Sequence, residues 1–304
     1  MQPLHQLLSG LIDYAGLFPP AGLDMPMMVN NYVDYLSCPN EWMLGRVVVP
    51  LAKLDSFRAE WPDSVTKRSR ISLLTPPLDS RDFDAAVSAI DEFNNSQANH
   101  KIDAVEARVA DPTAITNALK LNEHVRCFIE VPPDHRDAII TAIADLNQPD
   151  RVFAKIRTGG VKPEMIPSAD YVASFIIACG DAGVGLKFTA GLHHPFRADY
   201  PLTYEPGCDV GRMHGFLNVF LGSCFANTHG LDQTELTEFI DQAQPDDLTV
   251  TTNAIAWREH QLTAKDVAAT RERFAISFGS CSFTEPIEDL TNLSLLPETP
   301  HAPD

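Results

Sequence analysis

In the stretch "FAKIRTGG", residues 153–160, Lys155 and Arg157 stand two positions apart on a short apolar run that ends in a Thr-Gly-Gly turn. Alternation along a strand sends positions i and i+2 to the same face. Both cations therefore share a side, and an unpaired charge in a core is costly enough that the spacing marks a site that wants positive charge. Comparable placements recur along the chain: Glu106 and Arg108 in "IDAVEARV", Lys187 and Thr189 in "VGLKFTAG", Asp13 in "LIDYAGL", Glu130 in "RCFIEVP", and the turn "GSCS" at 279–282.

Two lysines at similar heights on neighbouring strands feel each other's charge and a low dielectric, and both effects lower an amine pKa. A neutral lysine is a nucleophile suited to Schiff-base formation with a carbonyl compound. The alternative is that Lys155 and Lys187 each pair with Glu106 or Glu130 as buried ion pairs, which also perturb pKa values. Arg157, the turn formed by Thr158 and Gly159, and the GSCS turn suit an anion, because glycine lets backbone N–H groups approach a phosphate or carboxylate. Glycines after strands also simply make tight turns.

The elements that must position these groups can be read from the hydrophobic pattern. Eight apolar, β-branched runs read as strands, at 11–17, 46–50, 70–74, 102–109, 126–132, 152–158, 184–191 and 275–280. Amphipathic segments such as "DSRDFDAAVSAIDEFNN", "PDHRDAIITAIADL" and "SADYVASFIIACGDAG" lie between them and begin at Asp, Ser or Pro, as helix starts should. Eight strands separated by helices point to a single α/β domain, a (β/α)8 TIM barrel over 1–295, with a doubly wound open sheet as the alternative. In a barrel, polar groups at the C-terminal strand ends converge on one pocket. Residues 192–274 are too long for one crossover and read as an insertion, a cap between strands seven and eight. The Pro-rich tail at 296–304 reads as disordered.

Composition narrows the function classes. With 23 basic against 41 acidic residues, a net charge of −18, the surface repels nucleic acid and anionic membranes. No apolar run approaches the roughly 20 residues of a membrane span, and the first residues lack the features of a cleavable leader. A cytoplasmic protein is expected. Six widely spaced cysteines without a C-x-x-C pair fit free thiols in a reducing compartment. The expected partner is a small anionic substrate, with no nucleic acid, membrane, cofactor or metal, and with a homo-oligomer as an allowed state.

Together "LIDYAGLFPP", "AKIRTGG", "GLKFTAGL" and "FGSCSF", in that order, resemble the deoxyribose-phosphate aldolases, class I aldolases built on a (β/α)8 barrel. The resemblance implies a carbon–carbon lyase of carbohydrate metabolism. It places Lys155 at the Schiff-base position, Lys187 as the neighbour that lowers its pKa, and Asp13 at the first-strand aspartate. Gly279, Ser280 and Ser282 fall on the anion turn, and the acidic proton relay falls on Glu106, or else on Asp103. Arg108, Glu130, Arg157, Thr158, Gly159, Thr189, Gly191 and His193 would complete the substrate site. The chain departs from the family at Arg157, which replaces a small residue, in "HHPFR" after strand seven, and in the insertion. Arg157 and Arg108 imply a more anionic substrate, such as a keto acid or acid sugar, beside a sugar phosphate.

Two other classes compete. His193, His194 and His214, with Glu130 or Asp209, could ligate a divalent metal for a metal-assisted lyase, isomerase or hydrolase, although no H-x-H or H-E-x-x-H spacing occurs. A non-catalytic small-molecule-binding barrel is the other, since fold does not fix function. Cys281 reads as a buried small residue or a nucleophile without a visible partner, and Asp13 as a substrate-orienting group or a turn cap.

Overall fold

Eight strands pair side by side in parallel until the last meets the first. They are β1 (Ile12–Tyr14), β2 (Leu44–Pro50), β3 (Ser69–Leu74), β4 (His100–Arg108), β5 (Arg126–Glu130), β6 (Val152–Arg157), β7 (Leu186–Thr189) and β8 (Ala275–Ser280). This computed structural model describes residues 2–97 and 99–297. Ile12 pairs with Leu44 on one side and Phe278 on the other, so the sheet closes and the (β/α)8 barrel, not an open sheet, is the fold. Each of the eight runs read as strands is a barrel strand.

Alternation explains why these sequences form this wall. Val105, Ile129, Ile156 and Phe188 point outward into the main hydrophobic core against the helices, while the residues on either side of each point inward. The helix Ala169–Asp181 covers its part of the barrel with Val172, Phe175, Ile176 and Cys179, an i, i+3, i+4, i+7 stripe. It starts at Ser168, whose side chain accepts a hydrogen bond from the Tyr171 N–H. Inside the barrel a second, small apolar cluster of Ala104, Phe128, Phe153 and Ile276 forms a plug. Among the described residues no helix is long and apolar enough to cross a membrane.

The long segment between β7 and β8 holds an antiparallel hairpin (Ala198–Pro201 with Val210–Met213), the helices Phe216–His229 and Gln233–Gln242, a three-stranded antiparallel sheet and the helix Ala264–Arg273. Its parts lie in different places. Phe216 of the first helix stacks on Phe278 of β8 and Phe220 packs tilted against it, at 5.4 and 5.9 Å between ring centroids, so that helix covers the outside of the barrel. The last helix lies against the N-terminal helix Pro3–Leu8, where Arg271 donates to the Leu7 carbonyl. Of these elements the hairpin region reaches the mouth of the barrel, through Leu202 and Met213, beside His193 from the turn after β7. Of the expected tail, residues 298–304 lie outside the described residues, whereas Leu296 is buried against the core.

At the ends of β6 and β7 the two loops touch backbone to backbone. A Cβ on Gly159 would lie 2.9 Å from the Cα of Gly191, which itself has a φ of +74°. Gly159→Ala is therefore expected to force these loops apart and to lower stability by about 1–3 kcal/mol, the usual cost of overpacking. An unchanged urea midpoint would sink that account of the close approach.

Candidate active site

The inward positions of neighbouring strands put like heights side by side. Lys155 stands in register with Lys187 on β7 and with Glu130 on β5, while Glu106 on β4 sits in register with Phe128. The side chains then build one alternating chain of charge. Lys155 Nζ lies 2.9 Å from Glu106 Oε2 and 2.9 Å from Glu130 Oε2. Lys187 Nζ lies 2.7 Å from Glu106 Oε1 and 2.5 Å from Asp13 Oδ2, and 5.2 Å from the centre of the Phe128 ring. In order the groups run Glu130, Lys155, Glu106, Lys187, Asp13.

The carboxylates are held from behind as well. Ser72 Oγ donates to Glu106 Oε1 and Ser277 Oγ to Asp13 Oδ2, each at 2.8 Å, and the Arg46 backbone N–H donates to Asp13 Oδ1 at 2.7 Å. Close packing permits this last bond. A Cβ at Gly45 would lie 2.3 Å from Asp13 Oδ1, so β2 needs glycine beside that carboxylate.

These partners reverse one expectation. Juxtaposed lysines were to lower each other's pKa, but Glu106 stands between them and Glu130 flanks the first. Burial pulls the Lys155 amine down, yet Glu106 and Glu130 outweigh burial and the net shift is upward. Lys155 is thus an ammonium at rest. Burial raises the carboxyls of Glu106 and Glu130, and this too is overcome: Lys155 and Lys187 hold Glu106 well below the usual range, and Lys155 with Arg108 holds Glu130 below it. The buried-ion-pair alternative describes the resting site.

A cavity of about 550 Å³ opens above this chain at the C-terminal ends of the strands. Glu106, Arg108, Glu130, Lys155, Arg157, Thr189, Gly191, His193 and Gly279 line it, as expected. Lys187 and Asp13 do not; they are fully sealed beneath, whereas the Lys155 side chain is 6% exposed and reaches the floor. A neighbouring cavity shares Arg108, Glu130 and Arg157 as its wall, so both arginines border two spaces.

Four expected binding residues serve the backbone instead. Thr158 is buried and its hydroxyl donates to the Ala190 carbonyl at 2.7 Å, tying β6 to the turn after β7. Gly159 makes the close approach described above. Ser280 Oγ accepts from the Ser282 N–H, and Ser282 Oγ accepts from the Glu285 N–H at the start of the helix Thr284–Asn292. Of the GSCS turn, Gly279 and Cys281 face the cavity. Asp103 is not the cavity acid, because Arg46 and Arg70 hold both its oxygens.

The three histidines separate. His194 Nδ1 sits 2.6 Å from Asp289 and its ring stacks on Tyr200. His214 is buried between the Arg197 guanidinium and the Pro167 carbonyl, and burial followed by Arg197 pushes its pKa down to about 4. His193 alone lines the cavity. Among the described residues no group of three or more His, Cys, Asp or Glu side chains is arranged to hold a metal ion, so the expected histidine ligand set does not assemble.

Sequence reasoning missed the cluster of His193, Cys281, Glu285 and Tyr204 at the mouth. Cys281 Sγ lies 3.9 Å from His193 Nδ1 and 3.8 Å from the Tyr204 hydroxyl, and Glu285 Oε2 lies 3.2 Å from the same nitrogen. A signal existed: barrel closure makes β7 and β8 neighbours, so residues just after each strand must meet. It also missed the apolar side of the cavity formed by Phe18, Pro19, Val48, Met165, Leu202 and Met213.

Removing Lys187 would leave two buried carboxylates without their shared cation. Lys187→Met is expected to lower stability by about 3–5 kcal/mol at pH 7, the cost of breaking a buried pair. Because the pKa of Glu106 is depressed in the folded protein, its ionised form stabilises wild type fully above the ordinary carboxylate value and loses that effect as pH falls through the depressed one. The variant keeps the part of this gain that Lys155 supplies, loses the part that Lys187 supplies, and is relieved when Glu106 protonates. Its deficit in denaturant unfolding should hold between pH 7 and about pH 5 and narrow as pH falls below that ordinary carboxylate range; a deficit that ignores pH there would contradict the pairing. No family model matches this chain, nor does any of the curated proteins or solved structures compared with it, so what the site does rests on its geometry.

Proposed function

We propose that this protein is a class I aldolase-like lyase that forms a Schiff base on Lys155 with a small anionic carbonyl compound. One observation carries the reading: a lysine at the floor of a barrel-mouth cavity, with a second lysine one carboxylate beneath it. A binding module has no use for a buried amine at that place, whereas imine chemistry needs one.

The resting ammonium must first lose its proton. Glu106 is clamped by two lysines, but Glu130 faces the cavity and is held by Lys155 and, at 3.2 Å, by Arg108. An anionic substrate that draws Arg108 onto itself and shuts out water raises the proton affinity of Glu130. The Lys155 ammonium, 2.9 Å away, is then its donor. The freed amine attacks the carbonyl carbon, water leaves from the carbinolamine, and the resulting iminium draws electrons from the bond between the α and β carbons. Lys187 and Asp13 stay below as fixed charges that keep Glu106 in place.

The anion belongs on the arc formed by β4 and β6. Arg108 and Arg157 stand two residues beyond Glu106 and Lys155, about 6.6–6.8 Å along their strands. Glu285 occupies the β7–β8 end, where barrel enzymes often hold phosphate. A carboxylate near the carbonyl, as in a keto acid, suits this spacing better than a phosphate several bonds away. A cytoplasmic setting accords with the six free cysteines.

Borohydride reduction in the presence of 2-keto acids and aldehydes, followed by mass mapping, tests this directly. A stable adduct is expected on Lys155 and none in Lys155→Ala. Arg157→Ala should raise the keto-acid concentration needed for trapping by roughly 10- to 150-fold, the worth of a charged hydrogen bond, while leaving neutral aldehydes little changed. If no carbonyl compound adds mass at Lys155, the aldolase reading fails.

A further inference from the structure

Breaking a carbon–carbon bond at an iminium requires a second group, which takes the proton from the hydroxyl of the departing carbon or returns it in the reverse reaction. The cavity carboxylates are poorly placed for that work. Glu106 gives Oε1 to Lys187 and Ser72 and Oε2 to Lys155, while Glu130, 2.9 Å from Lys155, serves the proton transfers at Lys155 itself. On the opposite wall stands His193, from the turn after β7. It is buried but lines the cavity.

The contacts of the His193 ring are one-sided. Glu285 Oε2 and Cys281 Sγ both lie on Nδ1, at 3.2 and 3.9 Å. Two neighbours on one nitrogen do not make a relay that activates the thiol through the ring; they anchor one edge. Nε2 has no hydrogen-bond partner among the described residues and is not one of the sealed polar atoms. The Glu285 charge beside Nδ1, close but off the line of a hydrogen bond, favours a proton on that nitrogen and leaves Nε2 free to work.

Resting on the reading of Lys155 as the Schiff-base residue, we propose that His193 is the catalytic acid–base of the carbon–carbon step and that Glu285 is the positioning residue that orients its ring. In cleavage, the substrate O–H proton moves to Nε2 and the O–H electron pair becomes the second bond of the new aldehyde. The carbon–carbon pair flows into the iminium, leaving an enamine on Lys155. In addition the same movements run backward, and the imidazolium protonates the aldehyde oxygen as the bond forms.

The titratable and charged groups around His193 are Glu285, Cys281, Tyr204 and His194, the last paired with Asp289. Burial lowers its pKa, but Cys281 and Glu285 more than offset this and bring it to about 9. The imidazolium therefore dominates near neutrality. Addition should hold below about pH 9 and fall above it, and cleavage should rise toward that value. Loss of the Glu285 charge should move this limb to lower pH.

Two reactions separate this role from that of Lys155. One is deuterium exchange into pyruvate or acetaldehyde, which needs the imine, the enamine and Glu130 beside Lys155 as the base that takes and returns the α-proton. The other is addition of the same donors to glycolaldehyde, which needs the oxygen acid as well. In His193→Gln, exchange should stay within about threefold of wild type while addition falls by about 100-fold or more, the usual worth of a general acid. In Glu285→Gln, the pH limb of addition should shift downward. Addition retained in His193→Gln, an equal loss of both reactions, or an unmoved limb in Glu285→Gln overturns the assignment. A wild-type protein that exchanges neither donor overturns the Lys155 reading, and this inference with it.

Discussion

The barrel interior is organised around one carboxylate shared by two ammonium groups. Glu106 accepts from Lys155 with one oxygen and from Lys187 with the other, and Glu130 and Asp13 close the row at either end. An isolated charge at any of these positions would be expensive, and only the alternation makes the set tolerable. Such networks add little net stability compared with apolar packing of the same volume. The fold's stability lies elsewhere, in the core between strands and helices and in the plug of Ala104, Phe128, Phe153 and Ile276.

Burial sorts the two lysines into different roles. Lys187 is sealed on all sides and touches both Asp13 and Glu106, so no substrate in the cavity can reach it. Lys155 has one side open to the cavity and one of its carboxylate partners, Glu130, shared with a rim arginine whose side chain is 71% exposed. A group that can change partners can change protonation state. On the proposed reading, the downward order from Arg108 through Glu130 to Lys155 is the route by which an incoming anion reaches the amine without disturbing the lower half of the network.

Much of this was legible in the sequence because strand alternation is a strict rule. Once the eight runs were recognised, residues such as Glu106, Lys155 and Lys187 had to share the inner face. The sign of the electrostatic effect was not legible. Counting two lysines suggests repulsion, and only the closed barrel places Glu106 between them. Thr158, Ser280 and Ser282 misled for another reason: a hydroxyl beside a turn can serve a ligand or the turn itself, and here local carbonyls and N–H groups claim all three. The segment 192–274 reads as one insertion, but its hairpin, helices and small sheet pack on different sides of the barrel. Hydrophobic content alone does not say which side.

The barrel holds a second ion network, and the comparison shows why charge alone does not make a site. Nearer the N-terminal ends of the strands, Asp103 accepts from Arg46 and Arg70, with Arg46 Nε at 2.6 Å and Arg70 Nε at 2.8 Å. The lower network is as well paired as the upper one, yet its members line neither cavity. Its cations are guanidinium groups, which stay charged at any pH a protein meets and cannot become nucleophiles. An amine can give up its proton when its carboxylate neighbours are redirected, and it is the lysine network that the cavity meets. On the proposed reading, arginine stands where a charge only holds, and Lys155, at the cavity floor, is the one lysine whose charge leaves.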